Sequence, residues 1–274
     1  MYAGKKIAVV MPAYNAAKTL QTAYDEVVAQ QIVDTVIIVD DCSSDSTEEV
    51  AKALLSQSHP STSSLIPKLI YHRHERNRGY GGNQKSCYEL ALKEGADIVV
   101  MVHPDCQYTP KLIPAIVCLI ASGLHPCVMA SRILGGYALK GGMPVWKYVA
   151  NRALTFAMNI LFGTKLSEFH SGYRAFSSDL LRRLPLGENT DDFAFDAEML
   201  AEIAWTGATF GEVSCPTVYF DDASSINFRR SCTYGIGCLK VALLYRLCRW
   251  HLARSRKFLS ELLVTVDFCA TDLI

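Results

Sequence analysis

The chain has 274 residues, half of them apolar, and its 27 Lys and Arg residues balance its 27 Asp and Glu residues to a formal net charge of zero. This length suits one large domain or two small ones. Zero net charge excludes a global electrostatic attraction to nucleic acid or membrane, so any such attraction must be local, and we expect no nucleic-acid partner.

The first half of the chain alternates β-rich runs with helical segments. We predict strands at residues 7–11, 36–39, 69–72 and 98–102, each followed by a helix. Runs of β-branched residues without alternation indicate strands covered on both faces, and single helices between strands indicate right-handed crossovers. The predicted fold class is therefore α/β, with a mostly parallel central sheet flanked by helices.

The second half is less regular. CVMASR is predicted to be a strand ending in Arg132, residues 146–162 a helix, EFHSGYRAFSSDLL a loop before a short helix, and EVSCPTVYF a late strand. Between the last two, NTDDFAFDAEMLAEIAWTG reads as a loop and a helix. We assign residues 1–231 to one α/β domain and residues 232–274 to an amphipathic basic helix and tail packed on it.

The cysteines and the apolar runs bear on the cellular location. Ten cysteines are scattered without a Cys-x-x-Cys pair, which argues against zinc ribbons and thioredoxin-like sites. The start, MYAGKKIAVVMPAY, has no separate signal-peptide core, and no apolar run reaches the roughly 18 uncharged residues of a transmembrane helix. We therefore expect a cytoplasmic protein with mostly buried free thiols, for which contact with the inner face of a membrane would be peripheral.

Three polar clusters follow strands of the predicted sheet. The first strand ends in PAYN, the second in DDCSSD and the fourth in HPDCQ. Ligands of open α/β sheets bind beyond the carboxyl ends of the strands, so we expect these clusters to face one crevice.

The motifs DDCSSDS and NRGYGGN each lead into a predicted helix. The carboxylates of DDCSSDS suit hydrogen bonding to a ribose or a base N–H, but they also suit a helix cap. The glycines of NRGYGGN allow backbone N–H groups to approach a phosphate, although no Gly-Lys-Ser/Thr follows as in a Walker A loop.

HPDCQ predicts a cation site. In an extended strand end, His103, Asp105 and Gln107 point the same way because side chains alternate. Oxygen ligands favour Mg²⁺, and one imidazole shifts the preference toward Mn²⁺. The alternative is a capped strand end in which His103 only hydrogen-bonds the backbone.

Taken together, the motifs resemble glycosyltransferase family 2, the nucleotide-sugar-dependent enzymes of GT-A fold. The resemblance runs from about residue 5 to residue 228 and is closest to the branch of dolichyl-phosphate mannose synthases and bacterial polyprenyl-phosphate glycosyltransferases. PAYN matches P-x-Y-N, VDDCSSDST matches V-D-D-x-S-x-D-x-T, and NRGYGGN matches N-x-G-x-G. A later SR pair (131–132) and the stretch SGYRAF (171–176) also match.

The chain departs from this family in one motif. HPDCQ stands where the family usually has D-A-D-L-Q. Asp105 then corresponds to the metal-binding aspartate, Gln107 to its helper and His103 to the missing carboxylate. Either His103 ligates the cation, Mn²⁺ or Mg²⁺, or it binds a phosphate or sugar and leaves the metal to Asp105 and Gln107.

The resemblance implies an inverting transfer from a UDP- or GDP-sugar to an acceptor such as a polyprenyl phosphate or a glycan hydroxyl. Contacts to the nucleoside are expected from Pro12, Tyr14, Asn15, Asp40 and Asp41. Local chemistry, and not the resemblance, makes Arg78 a candidate phosphate contact, and Gly79 is assigned to the same donor site. Arg132 and Arg174 are expected to bind the diphosphate or an acceptor phosphate.

A general base depends on the acceptor. A lipid phosphate needs none, whereas a hydroxyl acceptor needs a carboxylate. In NTDDFAFDAEM, Asp191 and Asp192 lie in the loop, where a base could reach the crevice, whereas Asp196 and Glu198 suit helix capping. Of the two loop residues, we rank Asp192 ahead of Asp191.

Other interpretations remain open at this point. A nucleotidyltransferase acting on sugar phosphates would share the fold class, but its G-x-G-T-R-type start is missing. The histidine in HPDCQ also permits a catalytically inert sugar-nucleotide-binding or scaffold protein. The basic stretch 234–258 suits either an anionic bilayer or packing on the domain.

Overall fold

The computed structural model describes residues 1–57, 66–217, 219 and 228–259. Its centre is a seven-stranded sheet in the order β3-β2-β1-β4-β6-β5-β7. The strands are β1 (Ile7–Ala13), β2 (Thr35–Asp40), β3 (Lys68–Arg73), β4 (Ile98–Met101), β5 (Cys127–Ser131), β6 (Arg174–Ser177) and β7 (Phe210–Ser214). The helices are α1 (Leu20–Val28), α2 (Thr47–Gln57), α3 (Gly79–Lys93), α4 (Ile113–Ala121), α5 (Val145–Phe162), α6 (Ser178–Arg183), α7 (Phe195–Thr206) and α8 (Phe228–Arg249).

Strands β1, β2, β4 and β5 are buried on both faces, as the unbroken apolar runs predict. On β1, Ala8 and Val10 face one core together with α3, α5, α7 and α8. Ile7 and Val9 face a second core together with α1, α2 and α4. Because side chains alternate along a strand, a strand covered on both sides must be apolar at every position.

Six strands run in one direction and β6 runs against them. β1 pairs in parallel with β2 and β4, β2 with β3, and β5 with β7. β6 pairs antiparallel with both β4 and β5. The prediction of a mostly parallel sheet is confirmed, and the carboxyl ends of the six parallel strands share one edge, where β6 begins.

The prediction that EFHSGYRAFSSDLL is a loop was wrong, because its residues 174–177 form β6. This strand has four residues, starts with an arginine and ends with a serine, so its sequence carries little β-propensity. Two neighbouring strands supply its pairing, and such tertiary context routinely outweighs local preference.

Helix α8 packs against α5 and α7, and Cys238, Val241, Ala242 and Tyr245 on it belong to the first core. It begins at residue 228, close to the predicted boundary at 232, while residues 260–274 of the predicted tail lie outside the described residues. Within the described ranges, no helix combines the length and apolar character needed to cross a membrane.

Candidate active site at the carboxyl edge of the sheet

The loops that follow β1 and β2 are joined by hydrogen bonds. The backbone N–H of Asn15 donates to Ser43 Oγ over 2.8 Å, and Asn15 Oδ1 accepts from Ser44 N over 2.9 Å. Asn15 has a φ of 52°, a left-handed conformation that asparagine tolerates better than most residues. PAYN therefore lies at this edge, with Pro12 buried in β1 and Tyr14 57% exposed beside it.

Asp40 is completely buried at the end of β2. Its Oδ1 accepts from Ser43 N over 2.9 Å and from the Ser43 hydroxyl, and its Oδ2 accepts from Tyr71 Oη over 3.2 Å and Arg73 Nε over 3.3 Å. Burial, followed by the Asp40 charge, raises the pKa of Tyr71, so its hydroxyl stays a donor. Both carboxylate oxygens are thus committed to the protein.

Asp41 caps helix α3. Its Oδ1 accepts from Arg78 N over 2.8 Å and contacts His74 Nδ1 at 2.7 Å, and its Oδ2 accepts from Gly79 N over 2.9 Å. The negative charge lies at the positive end of the helix dipole. Arg78 itself is exposed, and its Nη1 donates to Ser86 Oγ over 3.0 Å.

The glycines of NRGYGGN allow the chain itself, rather than a phosphate, to approach α3. The helix begins at Gly79, whose φ is +83°, so the later glycines lie inside its first turn. A Cβ on Gly81 would lie 2.5 Å from the Thr190 carbonyl oxygen, and Gly81 N donates to Asp191 O over 2.8 Å. The interpretation of these glycines as a phosphate cradle is therefore corrected: the 189–192 loop occupies that space.

HPDCQ is a turn and not an extended strand end. β4 ends at Met101, and Cys106 has a φ of 56°, so the side-chain alternation assumed for His103, Asp105 and Gln107 does not hold. Gln107 is buried, and its backbone N–H donates to Asp105 Oδ1 over 3.1 Å. His103 and Asp105 are partly exposed at the sheet edge.

His103 is the end of a buried polar chain. Its ring stacks on Tyr80 with centroids 5.6 Å apart, and its Nε2 lies 3.3 Å from Tyr80 Oη. Tyr80 Oη donates to Asp196 Oδ2 over 2.9 Å, and Asp196 Oδ1 is 3.2 Å from Arg174 Nη1. We name His103, Tyr80, Asp196 and Arg174 the relay.

The relay determines which nitrogen of His103 carries hydrogen. Tyr80 uses its single proton on Asp196, so the contact with Nε2 requires an N–H on the imidazole. Burial and the Asp196 charge raise the pKa of Tyr80 well above its ordinary value, which keeps that proton in place. In a neutral imidazole with its hydrogen on Nε2, Nδ1 of His103 holds the lone pair. Among the described residues, Nδ1 has no hydrogen-bond partner.

Arg174 is fully buried, which corrects its assignment as a phosphate ligand. Its Nε donates to Ser171 O over 2.7 Å and its Nη2 to Phe169 O over 3.0 Å, while Nη1 faces Asp196. With every nitrogen bound to protein and no exposed surface, Arg174 orients Asp196 and contacts no ligand in this conformation.

Arg132 is held in a similar way. Its Nε donates to Glu168 Oε1 over 2.8 Å, its Nη1 to Tyr219 Oη over 2.9 Å and its Nη2 to His170 O over 2.8 Å. Glu168 is completely buried, and although burial opposes its ionisation, the Arg132 charge brings the net pKa of Glu168 below its usual range. Arg132 keeps 12% of its side chain exposed, so it is not completely enclosed by protein.

The two candidate bases lie on the surface. Asp191 keeps 61% of its side chain exposed and pairs with Lys85 Nζ at 2.8 Å. Asp192 is exposed and its Oδ1 accepts from Phe193 N. Asp196, ranked behind them, is instead the buried member of the relay. Tyr80 was missed altogether, although it is the aromatic residue of NRGYGGN.

The donor set fits a cation that is shared with a substrate. Among the residues that the structure describes, no three His, Cys, Asp or Glu side chains are grouped closely enough to hold a metal. In the turn after β4, the imidazole of His103 and the carboxylate of Asp105 remain as candidate cation ligands. Mg²⁺ and Mn²⁺ at nucleotide sites commonly take one or two protein ligands and complete their shell with phosphate oxygens and water.

The amino-acid sequence matches those of known proteins over most of the chain. The family model "Glycosyl transferase family 2" matches residues 8–184. UDP-N-acetylglucosamine–dolichyl-phosphate N-acetylglucosaminyltransferase of Methanococcus voltae is 31% identical over 221 residues, which cover 79% of this chain and 87% of the relative. Undecaprenyl-phosphate mannosyltransferase of Micrococcus luteus is 24% identical over 213 residues, covering 76% and 82%.

A solved structure shares the fold. Glucosyl-3-phosphoglycerate synthase of Mycobacterium tuberculosis, in complex with Mn²⁺, UDP and phosphoglyceric acid, aligns with a TM-score of 0.64 at 19% identity. The alignment covers 92% of this chain and 81% of that one.

Proposed function

The chain belongs to glycosyltransferase family 2, and from this premise we propose that it transfers a sugar from a UDP- or GDP-sugar to a polyprenyl phosphate, with inversion and with a divalent cation. The observation that carries the acceptor class is the similarity to the Methanococcus and Micrococcus enzymes, whose names both contain a polyprenyl phosphate acceptor. The meeting of PAYN, DDCSSD and HPDCQ at one sheet edge supports the donor site.

The nucleoside is proposed to bind beside PAYN and the start of α3. Tyr14 offers an exposed ring, and the exposed Arg78 offers a cation for the diphosphate. Asp40 and Asp41 shape this pocket, because their carboxylates fix the β2–α2 loop and the first turn of α3. Gly79 takes the φ of +83° that this turn requires.

His103 and Asp105 are proposed to hold the cation. When bound, a divalent cation neutralises the charge that develops on the leaving diphosphate. The relay supports this role, since a ligating histidine typically donates its other N–H to a fixed partner. Asp196 and Arg174 thus act through Tyr80 as positioning residues, and Nδ1 of His103 is the nitrogen offered to the cation.

A polyprenyl phosphate makes a general base unnecessary, because its oxyanion is already the nucleophile. That agrees with the surface positions of Asp191 and Asp192 and with the pairing of Asp191 to Lys85. A hydroxyl acceptor would instead need one of these carboxylates. Arg132, which keeps 12% of its side chain exposed, is the proposed contact for a phosphate.

A polyprenyl acceptor resides in a membrane, so the protein is proposed to work at the cytoplasmic face of a membrane by peripheral contact. In the described part of the chain, no helix has the length and apolar character needed to cross a bilayer.

Thermal-shift measurements with UDP- and GDP-sugars, each with and without Mn²⁺, test the donor site. A ligand that binds only the native state raises Tm by mass action. We expect one nucleotide class to raise Tm in a Mn²⁺-dependent way, and Asp105→Ala to remove the Mn²⁺ dependence. Asp179→Ala is the matched control, since that carboxylate lies on α6 with 94% of its side chain exposed. No shift with any nucleotide would favour a non-catalytic member of the family.

A further inference from the structure

Large apolar side chains are exposed along two helices. On α5 these are Val145, Val149, Phe156 and Ile160, and on α8 they are Ile236, Leu239, Leu243 and, just past its end, Trp250. Each is between 41% and 69% exposed. Their spacing of three, four or seven residues places them on one stripe of each helix. We call these eight residues the α5/α8 face.

The two stripes belong to one surface because the helices pack side by side. A Cβ on Gly235 would lie 3.7 Å from Leu154 Cδ2, the Tyr245 and Phe162 rings are 5.0 Å apart, and the Arg246 guanidinium donates to the Ile160 carbonyl. The opposite sides of both helices carry core residues such as Met158 and Ala242. The α5/α8 face is therefore the outer surface of a two-helix layer.

The charged side chains of this layer are all of one sign. The two helices contain seven Lys and Arg residues, two in α5 and five in α8, and no Asp or Glu. The chain as a whole is neutral, so this surface is locally positive against its surroundings. On α8, Lys240 and Arg246 lie on either side of the stripe of Leu239 and Leu243. Apolar residues flanked by cations are the pattern of helices that lie on anionic membranes.

The layer also reaches the candidate active site. Tyr234 on α8 has its hydroxyl 2.9 Å from His170 Nδ1, and the carbonyl of His170 accepts from Arg132 Nη2 over 2.8 Å. Tyr234 packs against the core on the inner side of α8, so these contacts join the inner side of the two-helix layer to the group that holds Arg132.

We infer that the α5/α8 face docks on an anionic phospholipid bilayer and holds the crevice beside a lipid-linked phosphate acceptor. The choice of a bilayer as the occupant rests on the proposed function as well as on the apolar stripe and its cations. Burial of eight large apolar side chains drives the contact, and the surrounding basic residues select anionic lipid.

Vesicle binding tests the inference without any nucleotide. The full chain is mixed with phosphatidylcholine vesicles with and without 30 mol% phosphatidylglycerol, at low and high salt, with brominated lipid as a quencher. Trp146 and Trp250 lie in or beside the face, whereas Trp205 is 7% exposed and packed inside. We expect quenching on anionic vesicles, and its loss in the W146F/W250F variant, which retains Trp205.

Acidic substitutions on the α5/α8 face provide the decisive variants. Phe156→Glu combined with Leu243→Glu should weaken binding to anionic vesicles by about tenfold or more, because two exposed apolar contacts are lost. Leu55→Glu is the matched control: it is 41% exposed on α2, on the other side of the sheet, and should bind as the wild type. Lys240→Glu should reduce binding to anionic vesicles only.

The outcomes separate the inference from the proposed function. Vesicle binding that is absent, or unchanged in the Phe156/Leu243 variant, overturns the docking surface even if nucleotide-dependent thermal shifts persist. Loss of those shifts overturns the donor site even if vesicles still bind. A concentration-dependent dimer that the same variant abolishes, without vesicle binding, assigns the face to a second copy of the chain and also overturns the inference.

Discussion

Replacing Asp196 by alanine should destabilise the protein more than any loss of a surface carboxylate. Asp196 is 6% exposed and accepts from Tyr80 and Gln84 while it pairs with Arg174 at 3.2 Å. The substitution leaves the guanidinium of Arg174, which has no exposed surface, with only backbone carbonyls as partners. An unpaired buried charge is among the most costly defects a fold can carry.

The magnitude follows from that environment. Breaking a buried ion pair costs roughly 3–5 kcal/mol, and about 1 kcal/mol shifts Tm by roughly 2–4 °C in a domain of this size. Asp196→Ala should therefore lower Tm by roughly 6–20 °C. The double variant D196L/R174M, which leaves no buried charge, should lose less stability than Asp196→Ala.

Urea unfolding followed by circular dichroism measures the effect. Asp191→Ala is the matched control, because that carboxylate is 61% exposed and its pair with Lys85 is worth under about 1 kcal/mol. If Asp196→Ala were no more destabilising than Asp191→Ala, the argument for a buried, charge-neutralised relay would be refuted.

Three further predictions concern the relay, pH and backbone packing. Tyr80→Phe removes the partner of His103 Nε2 and should weaken Mn²⁺ binding in the presence of UDP about tenfold, measured by electron paramagnetic resonance. An unchanged Mn²⁺ affinity would show that the relay does not position His103 for the cation. Burial raises the pKa of Glu202 to about 8. The Glu202 carboxyl therefore holds its proton more tightly in the folded than in the unfolded state. The free energy of unfolding should fall by on the order of 4 kcal/mol as the pH rises from about 4.5 to about 8, measured in urea titrations. Glu202→Gln should flatten that profile, and a wild-type profile that is already flat contradicts the prediction. Gly81→Ala, whose Cβ meets a carbonyl oxygen at 2.5 Å, should cost roughly 1–3 kcal/mol, whereas Gly187→Ala, with nothing within 4 Å, should cost little in the same titrations.

The sequence predicted the sheet and the edge that carries the site, because both depend on local patterns. Unbroken apolar runs that are short and rich in β-branched residues, such as 7–11, are typical of strands buried on both faces, and polar clusters after parallel strands lie at one edge. β6 could not be predicted in this way, because its four residues owe their conformation to β4 and β5.

The assignment of roles within the site was less predictable, because burial and partners are tertiary properties. Arg174 stands in a motif typical of ligand contacts, yet the structure buries it completely. Asp196 looked like a helix cap in sequence, and only its contact with Tyr80, 116 residues away, reveals the relay. The turn at Cys106 likewise cancels the alternation that grouped Gln107 with His103.

Transfer of radiolabelled sugar to a polyprenyl phosphate is the direct test of the proposed glycosyltransferase activity. The full chain is incubated with anionic vesicles that contain the acceptor, with Mn²⁺, and with the labelled UDP- or GDP-sugar that raises Tm. We expect label in the organic-extractable lipid fraction, dependent on Mn²⁺ and lost in Asp105→Ala but not in Asp179→Ala. Nucleotide binding without any label in the lipid fraction, under conditions where vesicles are bound, would contradict it.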